Sequence, residues 1–422
     1  MKTFFSLLFL FIVLSTGVTA QTFEIAGQIR PRAEYRHGYR SLLADEVKPG
    51  FAISQRSRLM VNYTNKALKM GITFQDFRIW GDVPLSNKKD VNGTAIQQAW
   101  AEYKFCNVFS AKFGRQTLLY DDERLMGGSN WSQQSKSHDA AVLKFTASKA
   151  TMLHVGLAYN QSEEKDTGNF YPVNNYKAMQ FLWFHHDFKT LGISFMVINN
   201  GLAFIDNHEQ KISFSQTFGP YLSFKKDKLK FNGAFYYQRG KNSKNVNLSA
   251  MYASAEAGYS IVNNVSLGGG FQYFTGNNQV HPDNSTDHSF STLYGTAHKF
   301  NGWMDYFYAG SGHGNVGLFD LYLPCIYSHN KFTAEFQPHY FSAVAPVKDK
   351  TVNAAEMPAA LGVEADFMAS YNVTPEFNIQ GGYSQMFGTE TLQTLKGGNR
   401  ENAQNWIWVM LTFNPTFFKS EK

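Results

Sequence analysis

The chain has 422 residues, of which 17% are charged and 16% aromatic, and a formal net charge of +6. That balance is too mild to suggest a nucleic-acid partner, and two cysteines, Cys106 and Cys325, are too few for a disulfide framework or a zinc site. Beyond residue 20 no window approaches 18 consecutive uncharged apolar residues, which excludes a bundle of membrane-spanning helices.

Lys2, the apolar run 4–13 broken only by Ser6, and the small-residue ending at 16–20 read as a secretory signal peptide cut after Ala20. The run is too short for a span of about 20 residues. No Cys follows the cut, which argues against a lipid anchor. Residues 21–422 are therefore expected to form the mature domain.

From Phe23 the chain alternates. In FEIAGQIRPRAEYRHGYR, Glu24, Gln28, Arg30, Arg32, Glu34 and Arg36 fall on one face, with Phe23, Ile25, Ile29, Ala33 and Tyr35 on the other. Same-face neighbours lie about 6.6 Å apart, so the arginines form a stripe. A second run repeats it, with Arg56, Arg58 and Asn62 opposite Leu59, Val61 and Tyr63. An arginine turned to lipid at mid-depth costs about 2–4 kcal/mol, so both stripes are expected to face the inside of a barrel. There they either satisfy Glu24, Glu34 and Asp76, or form a positive wall whose guanidinium forks match carboxylates. In the next run Asp76 and Arg78 can share the inward face, although Ile72 and Phe74 have the same parity.

The stretch GRQTLLYDDERLMGGSNW (114–131) gathers Asp121, Asp122, Glu123 and Arg124 before a Gly127-Gly128 step and Trp131. Residues 114–120 read as a strand rising to one rim. Residues 121–131 read as a loop folded into or across the pore, bent at the glycines, its charges set against the arginine stripes. Lys112 and Arg115 differ in parity, so both can line a lumen only through a bulge or a strand end. Two other readings are weaker. Asp121 and Glu123, about 6.6 Å apart in an extended segment, fall in the range of an inverting glycosidase pair, but no further constellation accompanies them. A calcium loop through Asp121, Asp122 and Glu123 lacks EF-hand spacing.

Alternation followed by a polar break recurs to the C-terminus. Leu153, Val155, Leu157 and Tyr159 share a face, and the last run sets Ile407, Val409, Leu411 and Phe413 opposite Trp406, Trp408 and Thr412. Soluble sandwiches use strands of about 5–6 residues. Runs of ten with a small or polar second face fit strands of about 9–11 residues crossing lipid. No Pro-rich linker or repeat divides the chain, so it reads as one all-β domain, a single transmembrane antiparallel β-barrel. About 22 residues per strand and turn give 16 to 18 strands. His185 and His186 point to opposite faces and cannot share a metal. The glycines at 268–270 read as close packing or a bulge, and both cysteines as small buried residues. No nucleotide-binding, hydrolase or zinc-protease motif stands in a suitable context.

These residues resemble the bacterial alginate export family of outer-membrane β-barrels. The matching pieces are GRQTLLYDDERLMGGSNWSQQSKSHDAAVLKF (114–145), HKFNGWMDYFY (298–308), GGYSQMFG (381–388) and NWIWVMLTFNPTFF (405–418), together with the arginine-rich opening strands. The resemblance implies 18 strands, with 16 as the alternative, and loops that narrow a charged lumen passing an anionic polysaccharide or oligosaccharide. Arg115, Asp122, Arg124, Trp131 and Asp139 match the family pattern. The expected pore-lining set is Arg30, Arg32, Arg36, Arg56, Arg58, Arg78, Arg115, Asp122, Arg124 and Trp131, with no catalytic residue, metal or cofactor. Passage is expected to be passive and anion-preferring, in the outer membrane of a Gram-negative bacterium. Expected partners are the anionic saccharide, outer-membrane lipid and lipopolysaccharide; periplasmic export components are candidates, and nucleic acid is not. A general porin is the alternative, and an outer-membrane carbohydrate-active enzyme a weaker one.

Overall fold

The computed structural model describes residues 21–85, 93–168, 175–307, 314–352 and 355–420; the expected signal peptide, residues 1–20, lies outside them. The first nine strands are β1 (Thr22–His37), β2 (Gly50–Thr64), β3 (Leu68–Ile79), β4 (Ala95–Lys104), β5 (Phe109–Gln116), β6 (His138–Thr146), β7 (Thr151–Tyr159), β8 (Ala178–Phe188) and β9 (Leu191–Asp206). The second nine are β10 (Glu209–Lys226), β11 (Leu229–Lys241), β12 (Asn247–Val262), β13 (Val265–Phe274), β14 (Leu318–Tyr322 continued by Cys325–His329), β15 (Phe332–Ser342), β16 (Ala360–Thr374), β17 (Phe377–Gly388) and β18 (Asn405–Phe413 continued by Thr416–Lys419). Each pairs antiparallel with the next, and β18 closes the ring on β1, so the barrel has the expected 18 strands. Closure leaves no sheet edge, which satisfies every ladder group without water.

Two strands are interrupted at proline, which withholds the N–H that a ladder needs. At the breaks, Gly268 N donates to Pro324 O (2.8 Å) and Gly27 N to Pro415 O (2.9 Å). Register shifts also fall at Ser260/Val262, Phe341/Ser342, Asn372/Thr374 and between β3 and β4, and the two-residue period holds along the runs between them. Phe113, Leu143, Ile407 and Val409 on the outer face are between 44% and 54% exposed, while Arg30, Arg56, Gln75 and Trp406 point inward and are buried. The register sets Gln28 opposite Arg58, Arg30 opposite Arg56 and Arg32 opposite Ser54, so the two arginine stripes lie side by side.

One rim carries only short turns: 65–67, 105–108, 147–150, 189–190, 227–228, 263–264, 330–331 and 375–376. The other carries the long connections, among them 38–49, 117–137, 275–317 and 389–404. The last contains α1 (Glu390–Lys396), whose first turn is capped by the Thr389 side chain accepting from Leu392 N. Loops 117–137 and 275–317 fold back into the barrel and join there. Met126 and Tyr294 form a parallel bridge, Gly127 N donates to Tyr294 O (3.2 Å), and Thr296 N donates to Glu123 O (2.9 Å). Met126, Met304, Tyr306 and Phe307 are buried with inward-facing strand residues such as Met179, Tyr252 and Trp406 in a hydrophobic core that occupies the lumen.

Three local expectations change. The strand expected to reach Tyr120 ends at Gln116. The loop turns through left-handed residues at Asp121 (φ 52°), Glu123 (φ 70°) and Ser129 (φ 46°), and not at the glycines. Gly127 serves close approach instead, since a Cβ there would run into Thr296 Oγ1 and lie 2.8 Å from its backbone N. Cys106 is exposed in a turn and Cys325 is half-buried; both are free thiols.

Candidate functional site

The arginine stripes grip a loop. Arg30 donates to the carbonyls of Asn130 (2.8 Å), Trp131 (3.1 Å) and Ser132 (3.2 Å) and to the Gln133 side chain. Arg56 reaches the carbonyls of Asn130 (3.3 Å) and Ser132 (3.4 Å), Ser135 Oγ (3.1 Å) and Gln28 Oε1 (2.6 Å). Arg58 joins Ser135 Oγ to Gln75, and Gln133 answers from the loop to Ser54. The cause is local. Residues 129–136 expose carbonyls that no strand satisfies, and a planar guanidinium offers five donors in a fixed fork. Arg30 and Arg56 are therefore 4% and 0% exposed and do not form an open wall: the loop takes the Arg30 donors and Arg56 Nη1, Gln28 takes Arg56 Nε, and Arg56 Nη2 is buried without a partner among the described residues.

The acidic end of the loop lies elsewhere, which corrects the expectation that its charges face the stripes. Asp121 accepts from Trp183 Nε1 on β8 (2.9 Å), Asp122 caps Arg124 N (3.0 Å), and Glu123 accepts from Gly128 N and Thr296 Oγ1. Arg124 is buried at β13 against Gln272, with Phe300 3.6 Å from its Cζ. Among the described residues no three His, Cys, Asp or Glu side chains gather to hold a metal. The second loop is held by carboxyl groups instead. Glu364 and Asp366 on β16 accept from the amides of Met304 (2.7 Å) and Trp303 (3.1 Å).

Between the clamped loops and the long-loop rim lies a cavity of 260 Å³ lined by Arg32, Arg36, Tyr39, Arg40, Trp131, His298 and Asp305, among others. Trp131 stacks on His298 with centroids 4.4 Å apart, and Arg32 Cζ sits 4.2 Å over its ring. Glu34 fixes the stripe from below, pairing with Arg32 (3.0 Å) and Arg36 (3.1 Å). Asp305 accepts from Tyr39 Oη, His298 Nδ1 (2.8 Å) and Arg40 (3.4 Å). Burial works against the Asp305 carboxylate, but His298 and these donors hold its pKa below the usual 3.8. The site thus sets guanidinium groups on Arg36 and Arg40 that reach solvent beside a Trp131 ring sandwiched between His298 and Arg32.

Comparison with known proteins follows the same geography. Residues 22–154 match the model of the alginate export family. The resemblance read from the sequence is borne out over that stretch. The whole chain is similar in fold to solved porins of low identity. A BenF-like porin from Pseudomonas fluorescens Pf-5 has 12% identity and a TM-score of 0.62, with 94% of this chain and 99% of that chain covered. OccAB4 of Acinetobacter baumannii has 12% identity and a TM-score of 0.62, with 96% and 100% covered. OpdK of Pseudomonas aeruginosa, solved with vanillate, has 11% identity and a TM-score of 0.60, with 93% and 99% covered. No curated protein matches by sequence.

The alginate-export stretch holds the arginine clamp and all of loop 117–137, and also two arginines that do not face the lumen. Arg78 shares its face with the exposed Phe74 and pairs with Asp76 (2.6 Å) on the outside of the barrel. Arg115 shares parity with Phe113 and pairs with Asp139 (2.9 Å), both of them exposed. Each is removed from the pore-lining set, because β3 and β5 keep the unbroken two-residue period that turns these positions outward. Five residues of the cavity and clamp were not anticipated: Gln133, Tyr39, Arg40, His298 and Asp305. The last two lie seven apart in HKFNGWMDYFY, a segment quoted only for its resemblance.

Proposed function

We propose that the protein is an outer-membrane channel for an anionic polysaccharide or oligosaccharide, with the cavity around Trp131 as its contact site at the outer mouth. The observation that carries this reading is the gathering of the Arg36 and Arg40 guanidinium groups, both reaching solvent, in one cavity beside Trp131. A uronate carboxylate suits a guanidinium fork, and Trp131, held between His298 and Arg32, forms the wall behind it. The alginate-export match over the strands and loop that build this cavity supports the same solute class. Arg30, Arg56 and Arg58 act one step back, fixing the loop on which Trp131 stands. Arg124 and Asp122 do the same from the far wall. Short turns face the periplasm in barrels of this kind, and long loops face outward.

The test is single-channel recording of purified protein in a planar bilayer under a salt gradient, followed by addition of oligouronate. An anion-side reversal potential and current block are expected, with block weakened about tenfold in Arg36→Gln/Arg40→Gln, the loss of one charged pairing of about 1.4 kcal/mol. A neutral reversal potential with no block would leave the general-porin reading in its place.

A further inference from the structure

We infer that the short-turn rim is a docking surface for anionic polysaccharide arriving from the periplasm. The inference rests on the channel reading above and adds the side from which the solute is taken. The five turns between β2 and β11, counted with two residues on either side, carry Lys66, Lys69, Lys104, Lys149, Lys189, Lys225, Lys226, Lys228 and Lys230. Against these nine stand Asp187 and Asp227. All nine lysines are exposed, and none forms an ion pair among the described residues. The other three short turns carry Lys331 and Glu376, which cancel. The charge is thus confined to one arc.

Two features point this arc at a solute instead of the lipid around the barrel. Lys69, Lys104, Lys225 and Lys230 have the inward parity of Gly71, Glu102, Ser223 and Asn232, so they stand at the mouth. Lys66, Lys69 and Lys104 also line one cavity of 190 Å³ between the first two turns. Deeper on the same wall, Lys112 Nζ lies 3.8 Å over the Trp100 ring and Lys144 pairs with Glu102 (2.9 Å). Lysines therefore continue from the rim into the lumen beneath β4–β6, where Glu102 neutralises Lys144 and Lys112 lies over Trp100. Lysine suits the first contact: a compact, mobile charge attracts a polyanion without fixing its register, and a charged mouth raises the capture rate.

The test adds oligouronate to one side at a time of oriented channels in neutral phosphatidylcholine. It compares wild type with Lys225→Gln/Lys226→Gln/Lys228→Gln/Lys230→Gln and with the matching Lys→Arg set. The association rate of block from the short-turn side should fall about tenfold in the Gln set, be retained in the Arg set, and leave block from the long-loop side unchanged. Unaltered mobility of unheated protein in gels shows that the barrel is folded. An unchanged rate from the short-turn side, or an equal fall from both sides, overturns the inference while the channel reading stands. An effect seen only when phosphatidylglycerol is present assigns the rim to lipid headgroups and also overturns it. Wild type blocked from neither side overturns both.

Discussion

Arg56 has no exposed surface, yet it carries a charge inside a barrel wall, and its role follows from what it touches. Hydrogen bonds from a charged donor contribute about 1.5–3 kcal/mol each, so Arg30 and Arg56 together hold residues 130–135 far more firmly than apolar packing of a short loop. In Arg30→Met/Arg56→Met we expect the loop to leave the wall, with higher conductance and noisy current; unaltered conductance and noise would show that the loop is held by other contacts. Arg36→Gln, which touches no loop carbonyl among the described bonds, should change selectivity without the noise. Asp305 gives a pH-dependent counterpart. Its carboxylate is held below 3.8 in the fold, so its contribution is present above that value and is lost only as pH falls below it. The Trp131 fluorescence component, taken as the difference from Trp131→Phe, should therefore show a step below about pH 4 that Asp305→Asn lacks. Asp305→Asn should show the altered signal at every pH. A wild-type signal that does not change below about pH 4 would contradict this assignment.

At the scale of elements, the lumen divides its donors from its acceptors. The arginines of β1 and β2 take carbonyls of one loop, and the acids of β16 take amides of the other. The two loops then meet at Gly127 and Thr296. Gly127→Ala places a methyl group against Thr296 and should destabilise the junction by about 1–3 kcal/mol, the usual cost of overpacking. Increased protease cleavage within 275–307 in the folded mutant would report it, and a wild-type cleavage pattern would speak against the junction. The strands were legible because a period of two declares a face: Arg30, Arg32, Arg56 and Arg58 were placed inward. Arg78 was misplaced because parity there opposed a charge to Phe74, and the charge was given priority; near the rim an Asp76 pair makes the outward position tolerable. The loop seats were not legible. Arg30 and Gln133 are 103 positions apart, and a carbonyl acceptor leaves no mark in the side-chain pattern.

On the scale of the whole molecule, cations of two kinds act on a passing anion, and salt separates them. The rim lysines are exposed, so their field is screened within a Debye length, about 10 Å at 0.1 M and 3 Å at 1 M. The charges of Arg30 and Arg56 are shielded from solvent ions by the loop they hold, and buried charges are screened much less. Raising salt from 0.1 M to 1 M should therefore depress the capture rate of an oligouronate strongly while reducing the anion-side reversal potential only in part. Both quantities can be read from the same channel. If they vanish together, selectivity arises from exposed charge alone, and the arginine clamp shapes the loop without contributing to permeation.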